Sequence, residues 1–106
     1  MESPHGLDCM LSLSLPAELE EELIDLLREH PEQASGFTIV PAEGFGTGTR
    51  LRSSMEQVRG RSRRRVVQIL LRGADVETLL DALRARMPSD EIAWWTMPLS
   101  GFGRFA

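Results

Sequence analysis

The sequence predicts an α+β domain of four strands and two helices in the order β-α-β-β-α-β, and three observations carry that expectation. Residues 7 to 15 alternate apolar and polar side chains with a period of two. Two stretches, one after Pro16 and one from Val76, place leucines on a single helical stripe. Residues 65 to 71 form an apolar run too short for a helix and rich in β-branched residues.

In chain order, Leu7, Cys9, Leu11, Leu13 and Leu15 alternate with Asp8, Met10, Ser12 and Ser14, which predicts a first strand with one face on a core. Pro16 opens a helix whose Leu19, Leu23, Leu26 and Leu27 share a stripe. Glu18, Glu20, Glu21 and Glu22 crowd its first turns, where the helix dipole favours anions. This helix should stop near His30, ahead of Pro31. Ser35 to Val40 reads as a second strand ended by Pro41. From Ala42 to Arg61 no period is sustained, so 42–61 is expected to be a long loop. Arg65 to Leu71 is a third strand, broken by Gly73. Val76, Leu79, Leu80, Leu83 and Met87 mark a second helix with Arg84 and Arg86 at its end and Pro88 as terminator. Glu91 to Leu99 supplies the fourth strand. The order is that of the ferredoxin-like plan, an antiparallel sheet with both helices on one face.

Two helices cover only one face of such a sheet, yet the third strand and the adjacent Trp94 and Trp95 offer apolar side chains to both. Of the two tryptophans, one is expected in the core and the other at an interface. A second subunit is the economical cover, because a wide apolar sheet face left open favours aggregation.

The chain has 106 residues, which allows one domain, 1–106, with mobile ends expected at 1–6 and 105–106. No apolar stretch approaches a membrane span and the start lacks the plan of a signal peptide, so a cytoplasmic protein without membrane insertion is expected. The net charge of -4 conceals a segregation: Arg28 is the lone basic residue before Arg50, whereas Arg50 to Arg72 holds eight arginines and one acid, Glu56. Guanidinium groups suit phosphate and carboxylate recognition. The acidic total and the lack of interleaved aromatics argue against nucleic acid.

No nucleophile elbow, phosphate-loop lysine, paired cysteine or His-Glu-x-x-His motif is present, so neither catalysis nor a metal site is expected. Cys9 reads as a buried thiol and His30 as a helix-end residue; His5 falls in the tail. Gly44, Gly46 and Gly48 stand at alternate positions, which lets a backbone approach an anion, although a merely flexible loop fits the same residues. Arg61, Arg63 and Arg65 flank the loop base, and Arg104 follows a glycine-spaced tail. These four arginines with Gly44 and Gly46 form the candidate anion site; a solvated face or ion pairs to a neighbouring subunit are the alternatives. Arg63 and Arg65 share a strand face, and Arg64 should point away.

The element order, the long loop, the run Glu56-Gln57-Val58-x-Gly60-Arg61 leading into Arg63-Arg64-Arg65, and the tail Gly101-Phe102-Gly103-Arg104 resemble the PII-like superfamily. More narrowly they resemble its short members encoded beside heavy-metal efflux pumps of the resistance-nodulation-division type. The resemblance implies a homotrimer with inter-subunit clefts for an adenine nucleotide, ATP, ADP or AMP, and a T-loop that touches a membrane transporter. On that basis Phe45, Arg50, Arg52, Glu56 and Gln57 belong to the partner-binding loop. The sequence departs from PII proteins in having no tyrosine to be uridylylated, so control by that modification is not expected. The resulting expectation is a trimeric signalling protein. The alternative is a metal-binding protein of CutA-like fold using His5, Cys9, His30 or methionines across subunits.

Overall fold

The computed structural model describes residues 6–45 and 62–106. Strand β1 (Cys9–Pro16) leads through a 3-10 turn, Ala17–Leu19, into helix α1 (Glu20–Arg28). Strands β2 (Phe37–Gly44) and β3 (Ser62–Leu71) follow, then a second 3-10 turn (Gly73–Asp75), helix α2 (Val76–Arg86) and strand β4 (Ala93–Pro98). All pairings are antiparallel and the sheet order is β2-β3-β1-β4. This is the expected ferredoxin-like arrangement.

The period-two pattern of β1 determines which side faces the helices. Cys9, Leu11, Leu13 and Leu15 are buried, and so are Val67, Ile69 and Leu71 across the ladder. Leu23, Leu26 and Leu27 of α1 and Leu79, Leu80 and Leu83 of α2 close the same core cluster. Truncating one of these leucines to alanine costs about 2–5 kcal/mol, because the site collapses only partly around the lost atoms. Helix α1 opens on Glu20, Glu21 and Glu22 and ends with the His30 amide donating to the Leu27 carbonyl at 3.0 Å, just before Pro31. Helix α2 ends with the Met87 amide on the Leu83 carbonyl at 2.8 Å, and Pro88 prevents another turn.

Three expectations need correction. Pro41 does not stop β2, which runs on to Gly44 with Pro41 opposite Arg65 and Gly44 opposite Ser62. The reason is position: β2 is an edge strand, where a residue without an amide hydrogen is tolerated. Strand β3 also starts earlier than expected, at Ser62, so Ala42, Glu43 and Gly44 belong to the hairpin arm and not to the loop 42–61. Finally, neither tryptophan is core. Trp94 is 44% and Trp95 42% exposed, because β4 is the other edge strand and pairs only with β1.

The opposite sheet face carries Met10, Ser12 and Ser14 of β1, Val66, Gln68 and Leu70 of β3, Val40 of β2, and Trp95 and Met97 of β4. Val40 is 40% and Met97 50% exposed, so this face is apolar and open at both flanks, whereas Ser12 at its centre is buried.

Candidate functional site

The site is built at the loop end of the β2-β3 hairpin. Because side chains alternate along β3, Arg63 and Arg65 leave the sheet on the helix side and Arg64 on the open side. Arg63 stands directly across the ladder from Glu43. Arg65 Nε donates to Glu20 Oε1 at 2.8 Å, and its Nη1 donates to the Arg64 carbonyl at 3.0 Å. Arg63 and Arg65, with Pro41, Ala42, Glu43 and Phe45, line an open cavity of about 710 Å³. Phe45, 64% exposed, forms its rim. Two planar cations beside the last residues of β2 can receive an anion, and Glu20 holds Arg65 in place there.

Arg64 turns to the other face and is held there. Its Nε donates to Ser14 Oγ at 3.0 Å and its Nη2 to the Glu91 carbonyl at 2.7 Å. One side chain thus straps β3 across β1 to the turn that precedes β4. Sequence reasoning separated Arg64 from its neighbours by parity but missed both this strap and the Glu20 partner of Arg65. The signal available for the latter was the acidic run at the start of α1.

Arg104 lies elsewhere. With Phe102 and Gly103 it lines a second cavity, of about 310 Å³, against Phe37, Thr38, Gln68 and Leu70 at the far end of the hairpin. Leu70 is five residues along β3 from Arg65, roughly 16 Å of strand. A single chain therefore does not bring Arg104 to Arg63 and Arg65. The expected site residues Gly46 and Arg61, and the expected partner-loop residues Arg50, Arg52, Glu56 and Gln57, lie outside the described residues.

Cys9 is buried at the end of β1, and burial first, then the neighbouring Asp8 carboxylate, pushes its thiol pKa up, only partly offset by the Met97 amide hydrogen bond. The thiol is therefore kept neutral and unreactive. Among the described residues no three of His, Cys, Asp and Glu group together as metal ligands. No described helix is long and apolar enough to cross a membrane.

The fold is the α+β ferredoxin-like type also found in PII-like and CutA proteins. The chain belongs to the DUF3240 family: the model of that family, described as protein of unknown function (DUF3240), matches residues 6–106. No curated protein matches the sequence. A DUF3240 family protein from Shewanella baltica OS155 is similar in structure, with 22% identity, a TM-score of 0.74, and coverage of 94% of this chain and 98% of that one. CPII from Thiomonas intermedia K12, a nitrogen regulatory PII-like protein whose structure holds ADP, AMP and bicarbonate, is 17% identical with a TM-score of 0.64, covering 87% of this chain and 89% of that one. CutA1 from Pyrococcus horikoshii OT3, in a form carrying a point mutation, is 14% identical with a TM-score of 0.66, covering 90% of this chain and 86% of that one.

Proposed function

We propose that this protein is a PII-like trimeric regulator, not an enzyme, which binds an adenine nucleotide in clefts between subunits and reports its presence to a membrane transporter from the cytoplasmic side. The observation that carries this reading is the pair Arg63 and Arg65 on one cavity wall at the base of the β2-β3 connection. An arginine pair of this kind suits a phosphate group better than a point charge would, because guanidinium binds phosphate oxygens in pairs. The open sheet face with Val40, Trp95 and Met97 supports assembly, since closure around a three-fold axis would cover it. Assembly would also be the means of bringing the Arg104 of one subunit to the loop base of another. The PII-like fold of the nucleotide-bound CPII supports the choice of ligand. A heavy-metal efflux system is the transporter favoured by the resemblance of the Glu56-Gln57-Val58-x-Gly60-Arg61 segment.

Calorimetric titration with ATP, ADP and AMP, on material whose mass has been determined by sedimentation, tests the reading. Saturable binding at one site per subunit of a trimer is expected; a monomer that binds none of the three would overturn it. Titration of divalent metals in the same experiment addresses the CutA-like alternative, whose support is the likeness in fold to CutA1.

A further inference from the structure

On the helix side of the sheet, away from the loop base, a cavity of about 320 Å³ opens between α1, α2 and β4. Its floor is Leu13, Leu23 and Leu80, each only 2% exposed, and its sides are Leu83 of α2 and Met87 just past that helix. Trp94 forms the outer wall, and Arg84 is the one charged residue among those lining it. The Arg84 guanidinium carbon sits 5.9 Å from the Trp94 ring centroid. Its ion pair with Asp81 is long, 3.6 Å, and exposed on both sides.

This arrangement is selective. An apolar floor disfavours polar ligands, because a polar group placed there loses hydration without a protein partner to replace it. Arg84, the one cation lining the cavity, favours a single negative group beside it, against the chain's overall charge of -4. The volume holds about ten non-hydrogen atoms at the roughly 30 Å³ that a water-sized group occupies in liquid. Trp94 is also accounted for: a large aromatic half exposed on an edge strand gains cover when something fills the space beside it.

We propose that this cavity is a binding site for a small amphipathic carboxylate, with a short acyl chain or single ring against Leu13, Leu23 and Leu80 and the carboxylate on Arg84 beside Trp94. The ligand displaces Asp81 from Arg84 and covers the indole face.

The test uses the Trp95→Phe protein, in which Trp94 is the remaining tryptophan, with octanoate and its uncharged analogue octanamide as probes. Octanoate is expected to change Trp94 fluorescence saturably, and octanamide to bind about tenfold more weakly, the loss of one charge-assisted contact. Arg84→Gln, at an exposed position, should remove that difference: octanoate weakens about tenfold and octanamide is unchanged. Three results overturn the proposal. One is the absence of a saturable change below the concentration at which octanoate forms micelles. Another is an Arg84→Gln protein that still prefers octanoate. The third is a fluorescence change that follows protein concentration and sedimentation coefficient, not octanoate, which would assign the cavity to a side chain from a second copy.

Discussion

Arg65 and Glu20 meet across the seam between sheet and helix, with Nε 2.8 Å from Oε1 and both side chains partly shielded from solvent. The pair joins the hairpin arm to the start of α1, and it occupies a cation that an incoming anion would need. Replacing Glu20 with glutamine should therefore do two opposite things. Unfolding in urea should show a loss below about 1 kcal/mol, as partly exposed ion pairs contribute little. Affinity for ADP, measured by calorimetry, should rise because Arg65 is released. Unchanged affinity would place Arg65 outside the anion site.

The three consecutive arginines of β3 should separate by face. Arg63→Ala and Arg65→Ala are expected to weaken nucleotide binding about tenfold or more with little effect on stability. Arg64→Ala should behave in the reverse manner. It removes the Arg64 hydrogen bonds to the Glu91 carbonyl and the Ser14 hydroxyl, at a cost of about 1–3 kcal/mol in urea, and leaves affinity unaltered provided the assembly persists. Equal affinities across all three variants would mean that the cavity at the loop base does not hold the nucleotide.

Leu70 tests the open face. It lies on the side opposite Val67, Ile69 and Leu71, level with Met10 in the ladder. In a trimer closed over this face, Leu70→Glu places three carboxylates together away from water and should yield monomers in sedimentation while the circular dichroism of the chain is retained. A variant that sediments as the parent does would put the interface elsewhere.

Much of this architecture is legible in the sequence for a simple reason: β1 and both helices are amphipathic in their own local period, so each announces which side is buried. Strand edges are not local properties. Pro41 stops a central strand and is harmless in an outer one, and nothing near residue 41 says which β2 is. Trp94 and Trp95 mislead for the same cause, since alternation assigns them to two faces but does not say that their strand lies at the sheet's edge. The site divides likewise. The parity of Arg63, Arg64 and Arg65 follows from chain geometry, whereas Glu20 meets Arg65 across 45 residues and the Arg64 strap spans two strands.

Cys9 gives a prediction in pH. Its thiol pKa is raised in the folded chain by burial and by Asp8, so the unfolded chain loses this proton first as the solution becomes alkaline. Fewer protons on the unfolded state means that stability is full below the ordinary thiol range, near 8.5, and falls as pH rises through it toward the folded value. The test is clean because the sequence contains no tyrosine and its basic side chains besides histidine are all arginine. Urea midpoints between pH 7 and pH 10 should decline for the parent and stay nearly level for Cys9→Ala, apart from an offset common to every pH.

The two outer strands each contain a proline, Pro41 within β2 and Pro98 at the end of β4. A prolyl nitrogen has no hydrogen to give, so a neighbouring molecule cannot add an unbroken row of main-chain bonds along either border. Stacking one copy beside another without limit is thereby discouraged at both ends of the sheet. Growth into fibres is checked at its two available starting points, and side chains on the broad surface are left to decide how many copies join before the assembly closes.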